Sequence, residues 1–206
     1  MLVNRLNRFI AKSFIGLVVW FCSFGVAVAA DQGDAVREVI DSLHNKLFEV
    51  ASDSTLTFDN RSDKLAPVVG TSYDFEFIGR FILRRAWRKL EPTQRDEFVS
   101  AFQQLSVANY ASRFAEIDEQ ELVITDVRPA TGERMQVDAK LQTENHNLVL
   151  SYTLKKGEDN NWAIINVIAD GVSDLALRRA EYSKVLKDKG FDGLLGHIDD
   201  QITNLN

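Results

Sequence analysis

The chain has 206 residues, 45% of them apolar and 26% charged, with 30 acidic against 24 basic side chains and a net charge of −6. That balance fits one compact domain with a real core and excludes a disordered or fully membrane-embedded chain. The acidic excess also argues against a nucleic-acid binder, which needs basic residues to neutralise phosphates.

Arg5, Arg8 and Lys12 open the chain, and an apolar run follows from Phe14 to Val28, broken by Ser23 and two glycines. Ala27-Val28-Ala29 then places small residues at the two positions a signal peptidase reads, and Asp31 and Asp34 begin an acidic stretch. The pattern reads as a secretory signal over residues 1–29, leaving a single domain over 30–206. The competing reading is an uncleaved membrane anchor, since the run is only slightly short of a span. A lipoprotein reading of Cys22 meets Phe21, where such a signal needs a small residue. Loss of residues 1–29 removes the one cysteine and three basic residues, taking the net charge from −6 to −9. A secreted domain without cysteine is stabilised by its core alone.

The first half of that domain is helical by pattern. Val36, Ile40, Leu43, Leu47 and Val50 recur at steps of three and four and mark one apolar helix face, with His44 at its edge. A second helix is expected over Lys64 to Tyr73, and a third from Phe75 with Phe77, Ile78, Phe81, Ile82 and Trp87. Pro92 suits the first position of a fourth, whose apolar face is Phe98, Phe102, Leu105 and Tyr110, with continuation through Phe114. From Leu122 the period changes to two. Leu122 and Ile124 begin a strand that ends at Pro129 and Gly132. Val137, Ala139 and Leu141 alternate with Asp138, Lys140 and Gln142, and Leu148, Leu150, Tyr152 and Leu154 alternate again. Turns are expected at 144–147 and 157–161, and Trp162 to Ala169 reads as a more covered strand. Two helices should close the chain, Asp174 to Lys187 and Phe191 to Leu205, parted at Gly190. The expected class is α+β, with helices packed on one face of a four-stranded antiparallel meander.

Motifs for chemistry are missing. Neither a Gly-x-Ser-x-Gly elbow, a glycine-rich phosphate loop nor a metal-ligand cluster stands in the sequence, so no cofactor, metal or catalytic residue is assigned. Aromatic content is the notable feature: thirteen phenylalanines and three tryptophans in the whole chain, with Phe-rich segments at Phe75–Phe81 and Phe98–Phe114. They are read either as core or as the wall of an apolar cavity between helices and sheet. An enzyme on such a fold would need a carboxylate or tyrosine of shifted pKa in the pocket; Tyr152 faces inward by alternation, while Asp138 faces out. An adaptor without a ligand would instead show a filled core and a large exposed apolar patch.

Trp87-Arg88-Lys89-Leu90, Pro92, Gln94-Arg95 and Phe98, then Trp162 to Ser173, Arg179 and Gly190 to Leu195, occur in the order found in the MlaC, or toluene-tolerance, family of periplasmic phospholipid carriers, which the chain resembles from Phe77 onward. Glu91 stands where the family has Thr, a better helix cap. The run Gly171 to Arg179 is more similar to the hopanoid-associated HpnM branch. The resemblance implies an NTF2-like domain in the periplasm, without enzymatic activity, that carries a phospholipid or hopanoid between an inner-membrane ABC-type lipid transporter and an outer-membrane acceptor, as a monomer. On this reading the lipid wall is Phe77, Phe81, Phe102 and Tyr110 from the helices and Val137, Ala139, Leu141, Leu150, Tyr152, Leu154, Ile165 and Val167 from the sheet. Arg178 and Arg179 are candidates for a headgroup or partner; pairing with Asp174 and Glu181 is the plainer reading of them.

Overall fold

The computed structural model describes residues 24–113, 121–142 and 147–206. Contacts divide the chain into two units, Met1–Gln32 and Gly33–Asn206, and the second holds the sheet and the helices packed on it. Residues 144–146 of the expected turn, and Phe114, fall in segments outside the described residues; Asn147 already belongs to a strand.

Helix α1 (Phe24–Ala51) buries the face its spacing marks: Val36, Ile40, Leu43, Leu47 and Val50 are all at most 1% exposed. Helix α2 (Phe58–Ser72) begins six residues earlier than the apolar pattern suggests. Asp59, Asn60, Ser62 and Asp63 hide the period, but Thr57 caps the first turn by accepting from the Asn60 amide. Helix α3 (Phe75–Leu83) is capped by Asp74, whose carboxylate accepts from the Phe77 amide at 2.8 Å. A short 3-10 turn, Trp87–Lys89, follows. Gly79 has no side chain because the Trp87 indole occupies that space; an added Cβ would lie 2.7 Å from the ring. Helix α4 (Pro92–Arg113) starts at Pro92 as expected. Without a Thr at position 91, Gln94 still accepts from the Glu91 amide at 3.0 Å, which is half of a capping box.

Five strands, not four, form an antiparallel sheet in sequence order: β1 (Glu121–Ala130), β2 (Arg134–Gln142), β3 (Asn147–Lys156), β4 (Trp162–Ala169) and β5 (Val172–Ser173). The fifth is two residues long and too short to show a period. Its signal was the Asp170-Gly171 pair, both at positive φ (47° and 79°), which turns the chain so that Val172 pairs with Ala169.

Alternation divides the sheet cleanly. Val137, Ala139, Leu150, Tyr152, Leu154 and Ile164 face the helices and are buried. The other face is wet: Val123 and Val149 are exposed there, and Asp138 accepts from Ser151, Gln136 and Arg128. Burial pushes the Asp138 carboxyl up, but the bonds from Ser151, Arg128 and Gln136 outweigh it and hold it below the ordinary carboxylate range.

Helix α5 is continuous by hydrogen-bond pattern from Asp174 to Thr203, yet Gly190 has φ 74° and ψ −172°. In a straight helix Glu181 and His197 would lie about 24 Å apart at 1.5 Å per residue. They are 2.6 Å apart, so the chain folds back at Gly190, as its position in the sequence suggests. Gln201 joins the two halves, accepting from Tyr182 and Arg178 and donating to Glu181. The Gly190 conformation is open only to glycine. Gly190→Ala and Gly190→Asn should each lower stability by roughly 1–3 kcal/mol in urea unfolding. Gly196→Ala, a helical position with open space beside it, should be neutral or stabilise by about 0.5–1 kcal/mol.

Candidate functional site

The interior between helices and sheet is one continuous apolar cluster. Its helical side is aromatic. Phe98 and Phe102 stack at 6.0 Å with planes 6° apart, and the Tyr182 ring stands nearly perpendicular to both. Phe75 meets Phe102 edge-on, and Trp87 meets Phe98 the same way. Each such pair adds about 0.5–1.5 kcal/mol to the gain from burial. Neither Tyr182 nor Phe75 stood out as a site residue by spacing, although both lie beside the aromatic helix face.

Four polar rings sit in this apolar interior or at its margin. His44 is 3% exposed, and its Nε2 lies 3.0 Å from the Tyr152 hydroxyl. Tyr73 and Tyr110 share a short hydroxyl–hydroxyl bond. Burial sets all four as neutral groups: it lowers His44 to about 4, raises Tyr110 to about 12, and raises Tyr152 and Tyr73 well above the ordinary phenol value. His44 Nδ1 has no hydrogen-bond partner among the described residues. By sequence His44 stands at the edge of its helix face. It lies inside because it is four residues after Ile40 and three before Leu47, the same spacing that marks the face itself.

The expected wall residues divide in three groups. Val137, Ala139, Leu150, Tyr152, Leu154 and Phe102 belong to the continuous interior, with Val167 and Tyr110 packed at its margin. Leu141 and Ile165 are buried at 7% and 3% but lie outside that cluster. For Ile165 the cause is a bulge: Thr153 pairs with Asn166 and Leu154 with Ile164, so Ile165 drops out of register and Ile164 takes the inward place. Phe77 and Phe81 are not part of the interior at all. The core face of α3 is Phe75, Ile78, Gly79 and Ile82, and positions 77 and 81 lie on its outer flank. Phe81 is 38% exposed, with the Arg179 guanidinium 5.2 Å from its ring centre. Arg178 is engaged internally by Asp174 at 3.5 Å, Glu181 at 3.9 Å and Gln201, which is the pairing its spacing suggests.

Two open troughs of about 560 and 390 Å³ run along α1, lined by residues such as Asn45, Lys46, Glu49, Asp34 and Arg37. Both are open to solvent and lined in large part by charged side chains. Among the described residues no cluster of His, Cys, Asp and Glu could hold a metal ion, and no helix is long and apolar enough to cross a membrane.

Residues 35–200 match the family model described as MlaC protein. The chain belongs to the MlaC family. It is 26% identical over 200 residues to the toluene tolerance protein ttg2D of Pseudomonas putida, covering 89% of each chain. Its fold is shared with a phospholipid-binding protein of Ralstonia solanacearum solved in complex with a phospholipid, at a TM-score of 0.72, with 17% identity over 84% of this chain and 97% of that one. The MlaC match covers the helices and the sheet that together enclose the aromatic interior.

His44 gives this interior a pH dependence. The folded protein keeps His44 neutral down to about pH 4, whereas the unfolded chain protonates it near 6.5. Its contribution is therefore complete above pH 6.5 and is lost as pH falls from 6.5 to 4, by about 3 kcal/mol. Urea unfolding between pH 7 and 4 should show this loss, and His44→Gln should lack it. Tyr152→Phe removes the partner of a buried ring and should cost roughly 1–3 kcal/mol at pH 7.

Proposed function

We propose that this MlaC-family protein is a periplasmic lipid carrier that encloses the apolar part of one lipid between its sheet and its helices and performs no chemistry on it. The observation that carries the reading is the continuous aromatic and aliphatic interior behind a one-sided sheet, on a fold shared with a phospholipid-bound relative. A two-tailed lipid has about thirty methylenes at about 0.8 kcal/mol each, so passage through water is opposed by more than ~20 kcal/mol and a carrier must replace most of that contact.

The polar rings support binding over catalysis. A general acid or base works best with a pKa near the working pH, and burial moves His44 far below it and Tyr152 far above it. In this reading the lipid lies against Val137, Ala139, Leu150, Tyr152, Leu154 and Phe102, and the helices part from the sheet to admit it. A phospholipid is the first candidate. The likeness of 171–179 to the hopanoid-associated branch makes a hopanoid the second, and four buried hydroxyl and imidazole groups offer a hydroxylated lipid something to bond. The partners of the proposed shuttle are an inner-membrane lipid ABC transporter and an outer-membrane acceptor, met by a monomer. Residues 1–29 act as the cleaved signal; N-terminal sequencing of secreted protein should start at Ala30 or Asp31, and an intact Met1 in the membrane fraction would support the anchor.

Organic extraction of the purified protein should recover phospholipid or hopanoid, and a fluorescent phospholipid should bind to emptied protein. Recovery of no lipid together with no binding removes the carrier reading. Ala139→Trp should fold with little loss of stability and exclude lipid. A loss of roughly 1–3 kcal/mol with lipid content unchanged would mean that this face is plain core.

A further inference from the structure

We propose that the outer flank of α3 is a docking surface for anionic lipid bilayers. This goes beyond the carriage of a lipid, because it concerns the surface on which the protein lands and not the interior that holds a cargo.

Three features converge there. First, Phe77 and Phe81 stand one turn apart on the flank of α3 that the core does not use, and neither packs into the interior. Aromatic rings held at a protein surface are suited to the headgroup level of a bilayer. Second, cations from three separate elements gather over these rings. Arg134 of β2 lies 5.9 Å and Lys155 of β3 5.7 Å from the centre of Phe77, and Arg179 of α5 lies 5.2 Å from that of Phe81. Among the described residues none of the three has a carboxylate within ion-pair distance. Third, Arg134 and Lys155 are direct partners across β2 and β3. Like charges placed opposite each other on neighbouring strands destabilise a sheet, so this pair works against the fold unless something negative meets it.

The charge of the chain is segregated to match. Five of its 24 basic residues fall between Arg80 and Leu90, with no acidic residue among them, in a chain of net charge −6. Arg80 shares the flank with Phe77 and Phe81, being three residues from one and one from the other. Glu76, which pairs with Arg80 at 2.5 Å, is the acidic group on this stretch of helix. The rest of the surface is correspondingly acidic and is repelled by an anionic bilayer. The protein therefore meets such a bilayer in one orientation, α3 first, and the repulsion of the remainder keeps the contact short. Attraction and repulsion of this kind act within about one Debye length, so salt weakens both.

The test is cosedimentation of the purified protein with vesicles of phosphatidylcholine alone and of phosphatidylcholine with about 30% phosphatidylglycerol, enough anionic lipid to set up a negative surface potential. Binding to the anionic vesicles should exceed binding to the neutral ones and fall with added salt. Each of Arg134→Gln, Lys155→Gln and Arg179→Gln should lower the anionic partition by about fivefold, and Phe81→Ala should lower it further. The first two variants carry their own folding control. Removing either member of the like-charge pair should leave the melting temperature unchanged or raise it while binding falls. Equal binding to both vesicle types, or a charge-neutralised triple variant that binds like the wild type, overturns the proposal. So does full competition by millimolar glycerophosphoglycerol, which would make the site a pocket for one headgroup and not a landing surface. Lipid extracted from the same preparations is measured separately. Loss of vesicle binding with cargo retained, or of cargo with vesicle binding retained, shows which of the two ideas has failed.

Discussion

Alternation along β2 and β3 sends Val137, Ala139, Leu150, Tyr152 and Leu154 to one side and Gln136, Asp138, Ser151 and Thr153 to the other. With one face wet, all of the apolar surface must be covered from a single side. The helices are arranged by that requirement. The core faces of α1, α3 and α4 and the folded-back halves of α5 all contribute to one cluster with the sheet. A sheet apolar on both faces would have called for a second helical layer and divided the aromatic content between two cores.

The interior built in this way is neither uniformly apolar nor chemically active. Tyr152 projects from the middle of the sheet and meets His44 from α1, tying the two layers through one buried polar contact. Tyr73, just after α2, and Tyr110 of α4 bond to each other and link two helices. A few oriented polar groups in an otherwise greasy interior favour one packing of helix on sheet over others of similar area. The same groups give a ligand a limited choice of bonds. Packing and binding thus use the same residues, and a carrier on this plan exchanges protein–protein contacts for protein–lipid contacts of similar kind.

Helix α3 has work on two faces. Phe75, Ile78, Gly79 and Ile82 face the core, and Gly79 lets the Trp87 indole close the far end. The opposite flank holds aromatic rings under cations brought from β2, β3 and α5. Nine residues suffice for both, because a helix repeats every 3.6 residues and its two faces need not share a side chain. The fold-back at Gly190 has a comparable economy. It brings Glu181, His197 and Gln201 together and holds Tyr182 against Phe98 and Phe102, so a backbone angle at the surface helps to set an aromatic contact inside.

Much of this was present in the sequence. Periodicity located the buried face of α1 and the strands of the meander, while Pro92 and Gly190 marked the start of α4 and the break in α5, because each is a signal within a dozen residues. The inward set on β2 and β3 was legible for the same reason: the pleat gives side chains no other choice. What the sequence could not carry was anything that depends on a second element. Ile165 alternates correctly on its own strand and is displaced only because β3 pairs across a bulge. Phe77 and Phe81 are as apolar as Phe98 and Phe102, and only the direction from which the core approaches α3 leaves them outside. Arg179 parted from Arg178 when one met Phe81 and the other Asp174 and Gln201. Local pattern determines which face of an element is apolar, but the tertiary structure decides which aromatic faces are covered, since that depends on where the other elements pack.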